Sequence, residues 1–306
     1  MVLEKSPKPL TVKNMEISFE FFPARDSVGE KNLWESFERL KKFNPKFVSV
    51  TFGAGGGERD KTDDLVQKIK NNSLIDVAGH LTCVDMSKDE INTIATKWLS
   101  KGINKIVALR GDVRKEGQRY KPHPSGYINA ADMVRGIKKI GNFEIAVAGY
   151  PEKHPESKSI QEDIENLKKK IDNGADKIIT QFFFNTETFL KFRDLLNKSN
   201  INVPLIPGIL PVSNYEKVKN FSKKCGTMIP DWIKKEFEEA NKDPDIEKLI
   251  GISLAADLVK KLQKEGVTEF HFYTLNKYEL TYAVCTRLLS YEKKNLSTKK
   301  INQIFV

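Results

Sequence analysis

The sequence predicts an α/β fold, a single (β/α)8 barrel of the TIM type. Three observations predict it. Short apolar runs rich in β-branched and aromatic residues alternate with amphipathic runs, eight times over. The apolar runs are nearly continuous, the pattern of parallel strands covered outside by helices. No linker-like stretch divides the 306 residues, and eight repeats in one domain of this length suit a closed barrel. A doubly wound open sheet is the alternative.

The first strand is I-S-F-E-F-F-P, 17–23, followed by a helix with Leu33, Phe37 and Leu40 on one face. F-V-S-V-T-F-G (47–53) leads to a helix from about Asp60 to Asn72. V-A-G-H-L-T-C (77–83) leads to a helix ending near Ser100, opened by the capping box Ser87/Glu90 and stopped at Gly102. K-I-V-A-L-R-G-D (105–112), a polar loop and a helix over 130–140 follow. E-I-A-V-A-G-Y-P (144–151) precedes a helix with Ile160, Ile164, Leu167 and Ile171 in register, closed by Asn173-Gly174. K-I-I-T-Q-F-F-F (177–184) and a helix over 186–198 come next. P-L-I-P-G-I-L-P (204–211) is followed by a helix from about Asn214 and an insertion with a second helix to Glu265. E-F-H-F-Y-T-L-N (269–276) and a helix from about Tyr278 complete the set. The organisation expected is an N-terminal extension over 1–16, a barrel over 17–292 and a polar tail over 293–306.

Composition narrows the class. Hydrophobic content is 39% and charged content 30%, enough apolar material for a large core. No apolar run reaches ~18 residues, so no membrane span is expected, and the N-terminus lacks a secretory apolar segment. Cys83, Cys225 and Cys285 are far apart and show neither metal-ligand spacing nor a disulfide framework, which fits a reducing cytoplasm. The net charge of +10 could serve an anionic partner. The lysines, however, stand beside acids on helix surfaces, as Lys168, Lys169 and Lys170 do near Glu162 and Glu165, so no nucleic-acid partner is expected.

Barrel chemistry gathers where strands end and their loops begin. The polar residues there are Glu20, Thr51, His80, Arg110, Asp112, Tyr150 with His154, Gln181, and Tyr273 with Lys277. Most have plain readings as well: His80 as a core histidine, Gln181 as a barrel plug, Asp112 as a loop cap or partner of Arg110, the tyrosines as packing. Glu20 is harder to set aside. Beside Phe19, Phe21 and Phe22 it faces desolvation, which favours the protonated carboxyl and so a proton donor. The stretch T-F-G-A-G-G-G-E (51–58) matches neither G-x-G-x-x-G, whose last place is Glu58, nor a Walker pattern. What remains is a loop whose backbone can approach a flat ligand closely, or a surface turn.

F-E-F-F-P (19–23), K-F-V-S-V-T-F-G-A (46–54), E-R-D (58–60), H-L-T-C (80–83), I-V-A-L-R-G-D (106–112), Y-P-E-K-H-P-E (150–156), I-T-Q-F-F-F (179–184), P-G-I-L-P (207–211) and F-H-F-Y-T-L-N (270–276) together resemble the methylenetetrahydrofolate reductase family. The likeness runs from about residue 17 to 290. It implies an FAD-binding (β/α)8 barrel that reduces methylenetetrahydrofolate to methyltetrahydrofolate. A reduced nicotinamide would pass hydride to FAD and leave, and the folate would then take the hydride. NADH is the expected donor, with NADPH the alternative, and a homo-oligomer is expected.

The resemblance also assigns roles. Glu20 would protonate the bridging folate nitrogen and open the ring to an iminium. Asp112 would lie near flavin and pterin, favouring the cationic iminium and disfavouring an anionic reduced flavin. Gln181 would hold the pterin edge, and Phe221 would stack on folate or nicotinamide, with Tyr273 and Lys277 also facing substrate. Thr51, Phe52 and Ala54 would line the flavin, making the glycine loop a lid edge. His80, Arg110, Gly111, Ala130, Tyr150, His154, Asp163, Asn166 and Lys170 match other flavin-contacting positions. Asp163, Asn166 and Lys170, at i, i+3 and i+7, share one helix face.

Three departures stand out. Lys277 replaces an arginine and lacks the bidentate fork for a carboxylate. Asn129 stands where an aromatic is common. The loop 113–127 is longer than expected. The chain has no room for the S-adenosylmethionine-binding regulatory domain of long eukaryotic relatives, so no feedback through that ligand is expected. Two other readings compete: a Schiff-base aldolase, for which Lys105 and Lys177 stand at the wrong strand ends, and a basic RNA-binding or ligand-storage protein.

Overall fold

The computed structural model describes residues 15–52, 56–112 and 120–289. Its strands are β1 (Glu16–Phe21), β2 (Phe47–Val50), β3 (Val77–Thr82), β4 (Lys105–Leu109), β5 (Glu144–Gly149), β6 (Lys177–Thr180), β7 (Leu205–Ile206), β8 (Gly208–Ile209) and β9 (Glu269–Tyr273). Helices α1 (Ser27–Leu40), α2 (Gly56–Asn72), α3 (Lys88–Ser100), α4 (Ala130–Ile140), α5 (Ile160–Asp172) and α6 (Thr186–Lys198) follow the first six strands in turn. After β8 come α7 (Tyr215–Cys225), α8 (Asp231–Glu239) and α9 (Pro244–Lys264), and a last helix, α10, covers 278–289.

All pairings are parallel, in the order β7-β6-β5-β4-β3-β2-β1-β9-β8. β7 and β8 are two pieces of one extended stretch interrupted at Pro207, which has no N–H to give a ladder. The stretch still bridges its neighbours. β7 pairs with β6 and β8 with β9, and the Pro207 carbonyl accepts from the His271 N–H at 3.0 Å. The sheet is therefore a nearly closed barrel, as the eightfold alternation predicts. Three details differ from the sequence reading. The strand expected over 204–211 is broken by Pro207. α2 starts at Gly56, upstream of Asp60. The insertion after α7 holds two helices, α8 and α9, where one was expected.

Side chains alternate across each strand with period two. On β1, Ile17, Phe19 and Phe21 face outward into the core shared with Leu33 and Phe37 of α1. The inward positions Phe47, Ala78, Val107, Ala146, Ile179 and Ile206 form a separate apolar layer low in the barrel. Beneath it, at the amino-terminal ends of the strands, Lys105 pairs with Glu144 at 2.7 Å, and Lys177 pairs with the same carboxylate. These lysines stand at the floor, which removes the Schiff-base reading on geometry.

Side-chain caps open α1, α3, α4, α5, α6, α7 and α9. Ser87 and Glu90 form the expected capping box on α3. Asn129 has a role of its own: its side chain accepts from the Asp132 N–H and caps α4. On the outer face of β3, Gly79 lies under Trp98 of α3, whose indole N–H donates to Asp63 at 2.8 Å. A Cβ at Gly79 would stand 2.2 Å from the Trp98 ring. Gly79→Ala should therefore destabilise the fold by about 2 kcal/mol through overpacking. Urea unfolding checks this, and an unmoved midpoint would mean that Trp98 yields freely.

Candidate active site

The barrel register sets the site. Ser18 lies opposite His271 and Glu20 opposite Tyr273 in the β1–β9 pairing. All four point inward. His271 is buried and stacks on Phe47 with ring centroids 5.7 Å apart. The Ser18 hydroxyl donates to the Phe270 carbonyl at 3.3 Å and lies 2.7 Å from His271 Nδ1. Ser18 thus engages one ring nitrogen and leaves His271 Nε2 as the other. That nitrogen is 3.4 Å from Ser49 Oγ and 3.9 Å from Glu20 Oε2.

His80, inward on β3, is the second imidazole beside Glu20. Its Nε2 is 3.5 Å from Glu20 Oε2, yet it is buried with no hydrogen-bond partner among the described residues. Burial pulls its pKa down to about 4, against an opposing pull from the Glu20 carboxylate and a further lowering by His271. The imidazole is therefore neutral near pH 7. Tyr273 crosses the lumen and donates its hydroxyl proton to the Thr180 carbonyl at 2.7 Å. Burial raises its pKa well above 10, with the Glu20 charge adding to the effect. The crossing is possible because position 208 is glycine: a Cβ there would lie 2.6 Å from the Tyr273 ring.

Glu20 keeps 21% of its side-chain surface exposed. The desolvation argument built on its flanking phenylalanines does not hold, because Phe19 and Phe21 face the helices and Phe22 is itself exposed. What surrounds Glu20 instead is a ring of inward polar groups: His80, His271 and Tyr273.

A second cluster occupies the β4–β5 side of the mouth. Arg110 forks onto Glu156 with contacts of 2.5 and 3.1 Å, not onto Asp112, and its guanidinium lies 5.0 Å from the Tyr120 ring centre. Tyr150 packs edge-on against His154 at 4.6 Å. Burial lowers the His154 pKa, with Arg110 contributing, and raises that of Tyr150 to about 12, with the Asp112 charge contributing. Asp163 accepts from the His154 backbone N–H at 2.7 Å and from the Ser157 hydroxyl, so it fixes this loop. Lys170 reaches the Ala148 carbonyl at 3.2 Å. Burial lowers its pKa to about 8, the Asp163 charge opposing. Gly111 has φ +88° and packs against Val84 and Thr82 so closely that a Cβ would not fit.

The remaining predicted residues are more scattered. Gln181 accepts from the Phe182 N–H with its own side chain. Phe221 of α7 stacks on buried Phe182, centroids 5.2 Å apart, and stays 43% exposed. The Thr51 carbonyl accepts from the Thr62 hydroxyl, and Arg59 lies 6.0 Å from the Phe52 ring centre. Ala130 is the buried first residue of α4. Asn166 and Lys277 are exposed. Ala54 lies outside the described residues, as do 113–119 of the long loop.

Sequence reasoning did not single out Ser18, Ser49, His271, Thr274 or Asn276. The signal was available in the alternation: stepping two residues back from Glu20 gives Ser18, and from Tyr273 gives His271.

Residues 5–289 match the family described as methylenetetrahydrofolate reductase. The chain belongs to the methylenetetrahydrofolate reductase family. It is 48% identical over 274 residues to the 5,10-methylenetetrahydrofolate reductase of Pectobacterium carotovorum subsp. carotovorum, covering 90% of each chain. Against that of Escherichia coli K12 it is 47% identical, again over 90% of each chain. Against methylenetetrahydrofolate reductase (NADH) 1 of Arabidopsis thaliana it is 37% identical, covering 85% of this chain and 46% of the plant protein. Among solved structures, a Clostridium thermocellum protein described as binding two copies of 5-methyl-5,6,7,8-tetrahydrofolic acid superposes with TM-score 0.60 at 14% identity, covering 92% of this chain and 96% of that one. That likeness is one of fold. Among the described residues no helix is long and apolar enough to cross a membrane.

The depressed His80 pKa makes a prediction about acid stability. As pH falls, the unfolded chain protonates this histidine first, near 6.5, while the folded chain resists until about 4. Stability is therefore lost from about pH 6.5 downward, by up to roughly 3 kcal/mol, and the loss levels off near pH 4. His80→Gln should flatten that part of the profile. Urea midpoints at pH 7.0 and 4.5 measure it, and equal acid losses in both proteins would assign the effect to other groups.

Proposed function

We propose that this enzyme reduces methylenetetrahydrofolate to methyltetrahydrofolate with NADH through bound FAD, in ping-pong order, supplying methyl groups for methionine synthesis in the cytoplasm. The observation that carries the reading is Glu20, inward on β1 among His80, His271 and Tyr273, in a barrel whose whole length matches the family. The name of the Arabidopsis relative supports NADH as the donor.

The residues at the mouth fit a large, flat, anionic cofactor. His80 Nε2 is a buried polar atom without a hydrogen-bond partner among the described residues, and Lys170 Nζ, an ammonium with three donors, gives one to Ala148. With Arg110, His154, Tyr150 and the Thr51–Phe52 strand end, these groups would hold the cofactor. Bound FAD supplies the hydride relay between nicotinamide and folate.

The chain's own groups supply the rest. The Glu20 carboxyl donates a proton to the bridging nitrogen of the folate, which opens the five-membered ring to an iminium. His271 Nε2 lies 3.9 Å from the Glu20 carboxyl and 3.4 Å from Ser49 Oγ, so the acid is bordered by polar groups on this side. Neutral His80 does not compete as a donor. Asp112, exposed at the mouth, contributes negative charge that favours the cationic iminium. Phe221 offers its free face as a stacking platform, and Tyr273 and Gln181 border the same space. Lys277 is an ammonium at the rim for the folate's carboxylate tail, a point charge rather than a fork.

Purified protein should be yellow. Anaerobic NADH should bleach the flavin absorbance, and methylenetetrahydrofolate should restore it. Glu20→Gln should leave bleaching within about threefold and slow the folate step by ~10²-fold or more. Equal loss in both steps would remove the proton-donor role. For Asp112→Asn, a shifted flavin potential with a folate step slowed roughly 10-fold is expected, and an unchanged potential counts against it.

A further inference from the structure

The turn after β9 ties down the end of β1, and it does so with side chains. β1 pairs with β9 only as far as Glu20 and with β2 as far as Phe21. Beyond that the strand loses its ladder, one residue past the carboxylate that the proposed reaction needs. Asn276 takes over. Its side-chain NH2 donates to the Phe22 carbonyl at 2.8 Å, and its side-chain oxygen accepts from the Phe22 N–H at 3.1 Å. One carboxamide thus satisfies both backbone groups of one residue, as a neighbouring strand would. Thr274 adds a second hold: its hydroxyl donates to the Glu20 carbonyl at 2.6 Å and accepts from the Asn276 N–H at 3.1 Å. The Phe21 carbonyl between them accepts from the Thr51 N–H at 2.9 Å.

The turn pays a conformational cost for this. Leu275 and Asn276 are consecutive non-glycine residues in the left-handed region, at φ 52° and 53°. Asparagine tolerates that region; leucine does not gain from it, and Leu275 is exposed, so no burial offsets its strain. The strained turn is braced from α1, where the Ser36 hydroxyl donates to the Asn276 carbonyl at 2.9 Å. Tyr273 immediately precedes the turn and Lys277 follows it.

We infer that Asn276 is a positioning residue: through Phe22, and with Thr274, it fixes the Glu20 carboxyl against the substrate held by Tyr273 and Lys277. The inference rests on the proposed function of Glu20. The proton donor and the proposed folate contacts at the end of β9 and after its turn then move as one body, and the clamp acts on the folate step alone, since hydride transfer from nicotinamide needs no proton from Glu20.

Anaerobic stopped-flow measurement of the two half-reactions in the flavin-loaded enzyme, across pH 6 to 9, tests it. Asn276→Gly keeps the left-handed backbone and deletes the amide. It should change flavin reduction by NADH less than about threefold and slow reoxidation by methylenetetrahydrofolate at least ~10-fold, with the pH profile of that step displaced by about half a unit or more. Added to Glu20→Gln, it should slow the folate step by less than about twofold, because the group it positions is already gone. Thr274→Ser should stay within about threefold of the parent, and Thr274→Val should resemble Asn276→Gly. Equal loss in both half-reactions, an unmoved pH profile, or full additivity with Glu20→Gln would overturn the inference. If Asn276→Gly does not fold, Asn276→Asp and Thr274→Val are read by the same criteria. Wild-type flavin that methylenetetrahydrofolate cannot reoxidise would defeat the functional reading itself; a folate step intact in Asn276→Gly would defeat only the clamp.

Discussion

The structure depends most on the parallel register between its first and last strands. β1 and β9 are some 250 residues apart in the chain, yet Ser18 meets His271 and Glu20 meets Tyr273 there. This pairing makes the inward stripe of each strand polar at matching heights. A slip of one residue would turn Glu20 toward the helices and bring Phe19 or Phe21 into the lumen. The outward phenylalanines oppose such a slip, since Phe19, Phe21 and Phe272 are fully buried against the helix layer. Hydrophobic burial on one face of β1 thereby fixes the direction of the carboxylate on the other.

Height within the barrel separates structural from chemical polarity. The floor carries Lys105, Lys177 and Glu144, charges neutralised by one another. Above them the apolar layer from Phe47 to Ile206 excludes water. Ser18 and His271 flank that layer at Phe47, Glu20 stands two residues further along β1, and among these polar groups hydrogen-bond satisfaction becomes uneven. His271 is held on both nitrogens, while His80 Nε2 is buried without a hydrogen bond. An unpaired buried nitrogen costs free energy that a merely structural histidine would not retain. The two imidazoles beside one carboxylate thus differ in how their nitrogens are satisfied.

The fold was legible in the sequence because its signals are local and repeated. Near-continuous apolar runs, the Ser87 capping box and the glycine stops each state an element without reference to the rest. The broken seventh strand was legible too, in Pro207, but only once a neighbour's need for an N–H is considered. Inward polar side chains were legible where a strand end carries one, as at Glu20, His80 and Tyr273. The environment of Glu20 was not. Its sequence neighbours are phenylalanines, but its spatial neighbours come from β3 and β9. Strand alternation makes the residues at i±1 the least informative about what a side chain meets. Asn276 escaped for a related reason: its task is to replace a missing strand partner at Phe22, and nothing near it in sequence says that β1 stops pairing there.

The mouth is divided by charge as well as by height. On the β4–β5 side stand Arg110, His154 and Lys170, with Asp163 and Glu156 holding loop backbone and guanidinium in place. Lys170 is kept at a pKa of about 8 by burial, so an anion arriving beside it would restore the charge that burial opposes. On the β1–β9 side the groups facing Glu20 are a neutral His80, a tyrosine that keeps its proton and His271, whose Nε2 lies 3.9 Å from the carboxyl. No ammonium or guanidinium lies within ion-pairing distance of Glu20 among the described residues. A cation there would hold the carboxylate ionised and defeat proton donation. Arg110, His154 and Lys170 thus lie in a different sector of the mouth from Glu20, a segregation that a round mouth can achieve because each strand contributes to one sector only.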